Sequence, residues 1–275
     1  MPDVRRLIAT ALPDYRVESV SVLGQGLDNV AYEINGDLIV RLSKTPDASR
    51  TVREARLLTE VRRFAPLPVP EPVLTLAEQG CLAYRKLPGV PLLDLPAAGQ
   101  PERIIAALRD FLAALHAIAP ERLAGLADAD EQAPSEWLEE AAETYAFISH
   151  RIPASYRPRV DAFLSAEPPP AGDTLVFSHN DLGIEHVLID PATSQVTGII
   201  DWSDAALVDP AHDPGRLYRD LGPAALPADQ SPAVHDRAIF YARCGVLEDF
   251  AYGVETGRTR YTEKSLNALA WLFPP

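Results

Sequence analysis

The sequence predicts an α+β chain of two unequal lobes, a small β-rich one over residues 1–87 and a larger, mainly helical one over 88–275. Three observations predict it. Short β-like runs crowd the first part, two of them joined by Asn35-Gly36, a strong tight-turn signal. The segment LPGVP at 87–91 then breaks the pattern. Beyond it, apolar residues recur mostly at helical spacing.

Taken in order, a helix is predicted over about residues 2–11, then a strand from Val17 to Leu23 leading into GQG. Strands from Asn29 to Ile34 and from Leu38 to Ser43 complete an antiparallel meander. Val52, Ala55, Leu58 and Val61 mark one face of a helix from Asp47 to Phe64, which the prolines of APLPVPEP stop. Strands follow at Val73–Leu76 and Cys81–Leu87. Ile104, Ile105, Leu108, Phe111, Leu112 and Leu115 form one apolar helical stripe. More helices are predicted near 134–149, 156–166, 231–255 and 261–272, with β-like LVF, VLID and TGIID between about 175 and 200.

Composition narrows the classes. With 275 residues, 47% hydrophobic and 23% charged, the chain can bury a sizeable core and is not of disordered composition. A formal net charge of -14 argues against a nucleic-acid binder and suits either a soluble surface or the attraction of a cationic substrate. Cys81 and Cys244 lie far apart in apolar surroundings without a C-x-x-C, so both read as core residues in a reducing cytoplasm. Neither a signal peptide nor a membrane span is expected. The oligomeric state is left unassigned.

The chemistry concentrates in SHNDLGIEHVLIDPATSQVTGIIDWSDAALVDPAHD, residues 178–213. Val187–Ile189 and Val196–Ile200 flank a polar turn and read as a hairpin, with Asp181 on the loop before it and Asp201 at its end. A hairpin returns the chain to its start, so the two carboxylates can converge. Phosphoryl transfer uses such a pair: one accepts the hydroxyl proton and the other holds magnesium against the phosphates.

This run resembles the catalytic and metal-binding region of the aminoglycoside phosphotransferase family, which includes macrolide and choline kinases. There an H-x-D-x-x-x-x-N loop precedes a hairpin ending in I-D-F or I-D-W. Here the loop reads His179, Asn180, Asp181 and, in place of the asparagine, His186, and the hairpin ends in Ile200, Asp201, Trp202. Histidine at that place is similar to a subgroup with macrolide and some aminoglycoside kinases. Magnesium favours oxygen over imidazole, so the main metal role falls to Asp201 with His186 assisting.

The resemblance implies a bilobal protein-kinase-like fold and transfer of the γ-phosphoryl group of ATP or GTP to a hydroxyl, with Mg2+ and Asp181 as base. It implies that GQGLDNVAYEI covers the nucleotide, through Gly24, Gly26 and Asn29. In DLIVRLSK the phosphate-gripping lysine of kinases is replaced by Arg41, paired to Glu54, with Lys44 as its rival. Strand alternation puts 41 and 44 on opposite faces, and Arg41 is preferred. The hinge falls in AYRKLPGVPL, with Tyr84, Arg85 and Leu87 at the purine edge and Tyr84 bearing on ATP against GTP.

His116 in FLAALHAI and His179 read as structural, Asp213 as a brace of the catalytic loop or a helix cap, and Asp209 as structural or substrate-facing. Glu248, Asp249, Tyr252 and Glu255 lie at helical spacing and are candidates for the acceptor pocket. The expected acceptor is an aminoglycoside. A macrolide, an amino alcohol or a sugar, and a catalytically silent nucleotide-binding protein are the alternatives.

Overall fold

A computed structural model describes residues 3–26, 28–95, 101–227 and 230–274. The N-terminal region is built from α1 (Val4–Ala11), β1 (Val20–Gln25), β2 (Asn29–Ile34), β3 (Leu38–Ser43), α2 (Ala48–Val61), β4 (Pro72–Leu76) and β5 (Cys81–Arg85). Its strands form one antiparallel sheet in the order β1-β2-β3-β5-β4. After it come β6 (Val90–Pro91), α3 (Pro101–His116), α4 (Pro134–Ile148), α5 (Arg157–Leu164), β7 (Val176–Ser178), β8 (Val187–Ile189), β9 (Val196–Ile199) and β10 (Ala206–Val208). Helices α6 (His212–Leu221), α7 (Pro232–Thr256) and α8 (Thr259–Leu272) end the chain. Two small antiparallel sheets, β6-β8-β9 and β10-β7, lie within this helical region.

Local chemistry explains the main elements. Asn35 and Gly36 both have positive φ, 54° and 81°, so the turn between β2 and β3 has the backbone twist that tight hairpins need. The Asn35 amide also accepts from Glu18 N and Ser19 N at 2.8 and 3.0 Å, which draws the preceding chain onto the sheet. That chain stays outside the ladder, so β1 starts at Val20 rather than at the predicted Val17. It runs on through Gly24 and Gln25, past an irregularity in pairing between Val22 and Gly24. Asp47 caps α2 by accepting from Arg50 N at 3.0 Å. The predicted helix over 2–11 begins at Val4, with Asp3 as its cap; residue 2 lies outside the described residues.

Three elements differ from the sequence reading. The predicted break at 87–91 contains β6, whose Val90 and Pro91 pair with Ile189 and Leu188 of β8. Strand β10 closes against β7. Helix α6 begins in HDPGR, which reads as turn-forming. Proline is tolerated in a first helical turn, where its missing N–H leaves no bond unmade. Gly215 is required by packing: a Cβ there would lie 2.5 Å from the Ala238 carbonyl of α7.

The core is continuous across the two regions. Ile39, Leu82 and Tyr84 of the sheet and Leu58 and Val61 of α2 join Ile104, Leu108, Phe111 and Leu115 of α3, with Phe177, Leu182, Val187 and Trp202. Helices α4 to α8 enclose a second cluster. A third lies where α1 covers Ile34, Leu38, Val40 and Leu42. Cys81 and Cys244 are buried free thiols within these clusters. Among the described residues, no helix is long and apolar enough to cross a membrane.

Candidate active site

The loop after β7 is held by its own residues and by α6. Asn180 takes a left-handed conformation, φ 65°, which turns the chain sharply between His179 and Asp181. His179 is fully buried, its ring 4.7 Å from that of Trp202, and its Nε2–H donates to Ile200 O at 3.0 Å. Burial pushes its pKa down, and the imidazole is a strut between the loop and the hairpin end. His116, also lowered by burial, lies 3.3 Å from the Ser178 hydroxyl.

Helix α6 supplies the main brace. Asp213 is fully buried and accepts from Ser178 Oγ at 2.6 Å, Asn180 N at 2.9 Å and Leu182 N at 3.1 Å. Two turns on, Asp220 accepts from Ile184 N at 3.1 Å. Burial would raise the Asp213 carboxyl, but His179, His212 and the Ser178 hydroxyl outweigh it and hold it below the usual range. Between the two lies Arg216, whose Nη1 is 3.0 Å from Asp181 Oδ1.

The predicted side chains converge. His186 Nδ1–H donates to Asp181 O at 2.8 Å and lies 3.4 Å from Asp181 Oδ2, while its Nε2 is 3.8 Å from Asp201 Oδ2. Asp201 sits at φ 62°, an uncommon conformation for a residue with a Cβ, and turns its carboxylate toward Arg41 Nη2 at 3.7 Å. Arg41 in turn pairs with Glu54 of α2. A row of charged groups therefore runs Glu54, Arg41, Asp201, His186, Asp181, Arg216 from α2 to α6.

The row sets its own charge states. Burial would lower Arg41, yet Glu54 and Asp201 help keep it above its ordinary value. Burial would raise Asp201, and Arg41 with His186 hold it down. His186 rises despite its burial, because Asp181, Glu185 and Asp201 surround it. Tyr84 is buried, and burial pushes its phenol up to about 12 against the opposing charge of Arg41.

Lys44 takes a different place from Arg41. Its Nζ donates to the Gly26 carbonyl at 2.6 Å, and Gly26 N donates to Asn29 O at 3.0 Å, so the lysine ties down the glycine loop. A Cβ at Gly24 would meet nothing within 4 Å, so protein packing does not require glycine there. Leu27 of this loop lies outside the described residues. Arg85 turns outward to Asp37 at 2.7 Å, and Leu87 packs over Gly198 of β9.

The candidate acceptor residues separate. Asp209 is engaged by Arg237 Nε at 2.5 Å and by the Tyr241 hydroxyl at 3.3 Å. Asp249 belongs to a buried ionic cluster that sequence reasoning missed: Lys264 Nζ lies 2.8 Å from Glu185, 3.3 Å from Asp220 and 2.9 Å from Asp249, with Arg219 against Asp220 and Asp249. This cluster ties the loop between β7 and β8 to α6, α7 and α8. Glu248, Tyr252 and Glu255 reach the surface of α7. Arg216 and Asp220 were legible in principle, since 213, 216 and 220 share one face of a helix once α6 is recognised.

Among the described residues no group of three or more His, Cys, Asp or Glu is arranged to hold a metal ion. Magnesium bound through a nucleotide does not need one: it takes one or two carboxylates and completes its shell with phosphate and water. The Asp201 carboxylate, with its side chain 46% exposed, fits that requirement, and the imidazole of His186 beside it is the poorer donor.

A model described as the phosphotransferase enzyme family matches residues 19–245. No curated protein matches the chain. Among solved structures, the GDP and kanamycin complex of APH(2")-IIia is 22% identical, with 96% of each chain covered and a TM-score of 0.71. Macrolide 2'-phosphotransferase type I is 21% identical, covering 96% of this chain and 95% of its own, with a TM-score of 0.63. The macrolide 2'-phosphotransferase MphH from Brachybacterium faecium is 23% identical, covering 99% and 97%, with a TM-score of 0.62. These likenesses show the shared fold, the kinase-like one of a β-rich N-terminal and a helical C-terminal region.

Proposed function

The chain belongs to the phosphotransferase enzyme family, and from that premise we propose a small-molecule kinase that moves the γ-phosphoryl group of ATP or GTP onto a hydroxyl of an aminoglycoside. The observation that carries this reading is the unbroken row from Glu54 to Arg216, in which His186 spans the two carboxylates of Asp181 and Asp201. Such transfer demands positioning and electrostatic stabilisation rather than covalent chemistry, and the row offers both signs of charge in sequence.

In this reading Asp181 orients the acceptor hydroxyl and takes its proton. Asp201, with His186 beside it, holds Mg2+, which when bound neutralises charge on the phosphates. Arg41, fixed by Glu54, grips the α- and β-phosphates, and the loop with Gly24, Gly26 and Asn29 covers them. Tyr84, Arg85 and Leu87 meet the base, Arg85 and Leu87 through their backbone, and the division between lobes falls at residue 87. Tyr84, close to Arg41, bears on the choice between ATP and GTP.

For the acceptor, Glu248, Tyr252 and Glu255 are the members of the predicted set that reach the surface, while Asp209 and Asp249 are engaged by cations. The net charge of -14 suits a polycation. A macrolide is the second reading, since two of the similar structures are macrolide phosphotransferases. Nucleic acid and membrane are not proposed as partners, and the cytoplasm is the proposed compartment.

The test is phosphate transfer from ATP or GTP, with and without magnesium, to kanamycin, hygromycin B, streptomycin, a macrolide, choline and a free sugar. Magnesium-dependent product with an aminoglycoside is expected. Transfer to choline or sugar alone would overturn the substrate class, and nucleotide binding with no transfer to any acceptor would favour a silent binding protein.

A further inference from the structure

We propose that Arg216 is a positioning residue for the Asp181 carboxylate, an inference that rests on the role of Asp181 in phosphoryl transfer. Helix α6 presents Asp213, Arg216 and Asp220 toward the catalytic loop. The two aspartates bond the loop through Ser178 Oγ and the backbone N–H groups of Asn180, Leu182 and Ile184. Of the three, it is Arg216 that meets the Asp181 carboxylate, with Nη1 3.0 Å from Asp181 Oδ1. Its duty is therefore separable from fixing the loop, which is already fixed on either side of it.

His186 does not supply the same restraint. Its Nδ1–H is used by the Asp181 carbonyl at 2.8 Å, and Asp181 Oδ2 lies beyond it at 3.4 Å. Arg216 thus pins one carboxylate oxygen and leaves Oδ2 to the acceptor hydroxyl. As the new bond from the acceptor oxygen to phosphorus forms, the hydroxyl proton passes to Oδ2. The bond from phosphorus to the bridging oxygen breaks, and its electron pair leaves with the nucleoside diphosphate.

Two further features fit a functional placement. The Arg216 Nε is buried and has no hydrogen-bond partner among the described residues, so the side chain is not seated for its own hydrogen bonding. Asp181 and, more weakly, Glu248 of α7, a candidate acceptor residue, keep the buried Arg216 guanidinium above its ordinary value. A lysine would keep the charge but not the planar reach, which makes it a graded probe.

The experiment uses the full chain with R216M, R216K, D181N and the D181N/R216M double variant. Urea unfolding of the wild type, D181N, R216M and the double variant is expected to give a double variant whose stability departs from the sum of the single changes, as residues in contact do. With the acceptor that supports turnover, R216M is expected to lower kcat by about 30- to 100-fold, the cost of misplacing a reacting group. The KM for nucleotide should stay within about 2-fold, because uniform binding is not what is lost. R216K should regain part of the rate, and the double variant should be no slower than D181N.

Multiplying kinetic losses in the double variant, or an undiminished rate in R216M, would overturn the proposal. Additive stability changes would do the same. Should the wild type transfer phosphate to no acceptor, the phosphotransfer reading of the site has failed, and the unfolding cycle still decides whether Arg216 holds Asp181.

Discussion

Replacing Asp213 by Asn tests how the loop between β7 and β8 is held, with almost no change in shape. The carboxylate is fully buried and receives Ser178 Oγ and Asn180 N on one oxygen and Leu182 N on the other. An amide can keep its oxygen on the first side, but its NH2 then opposes the Leu182 N–H. One hydrogen bond to a charged group is lost, at about 1.5–3 kcal/mol, and the facing donors add about 1–3 kcal/mol. The two retained bonds also lose charge assistance. The sum is about 4 kcal/mol, a large share of the roughly 5–15 kcal/mol that stabilises a folded domain. Urea unfolding at neutral pH should show this loss, while Ser178→Ala, which removes one bond to the carboxylate, should cost about 1.5–3 kcal/mol. Asp213→Asn within about 1 kcal/mol of wild type would refute the claim that this carboxylate holds the loop.

Arg41→Ala and Glu54→Ala should each weaken Mg-nucleotide binding by roughly 10- to 100-fold, and calorimetry on the double variant should find the losses non-additive. Lys44→Ala should cost less, since it loosens the glycine loop and leaves the charged row intact; a larger loss than Arg41→Ala would contradict this. Lys264→Met should destabilise by about 3–5 kcal/mol in urea, because it strands buried acids around Arg219; a loss under 1 kcal/mol would show the cluster to be dispensable. Burial and the nearby Arg216 push His212 down to about 4. The unfolded chain, with histidine near its ordinary value of about 6.5, then binds more protons below that pH, so stability falls as pH drops. Unfolding measured from pH 6.5 to 5 should lose about 1.5 kcal/mol from this group, and His212→Phe should flatten that slope; an unchanged slope would contradict the assignment.

Much of this was legible in the residues themselves. Strand alternation separated Arg41 from Lys44, and the structure puts the first against Glu54 and Asp201 and the second on the Gly26 carbonyl. The hairpin reading brought Asp181 and Asp201 together, and the histidine between them bridges both. What escaped depended on partners far away in the chain. Helix α6 hides behind Pro214 and Gly215, residues that signal a turn unless the close approach of Ala238 is known. The acids on α7 look alike in sequence, yet Asp249 is claimed by Lys264 and Arg219 while Glu248 reaches the surface. Strand β6 has only two residues, and pairing with β8 rather than propensity makes it a strand.

The central claim is that Asp181 serves phosphate transfer to a small-molecule hydroxyl. The most direct measurement is the amount of phosphorylated kanamycin formed by wild type and by Asp181→Asn with magnesium and ATP or GTP, followed by mass spectrometry beside nucleotide binding on the same samples. The expected result is product from wild type, a loss of at least about 100-fold in the variant, and nucleotide binding retained in both. Equal product from a folded Asp181→Asn variant, or its loss together with nucleotide binding, would contradict the account.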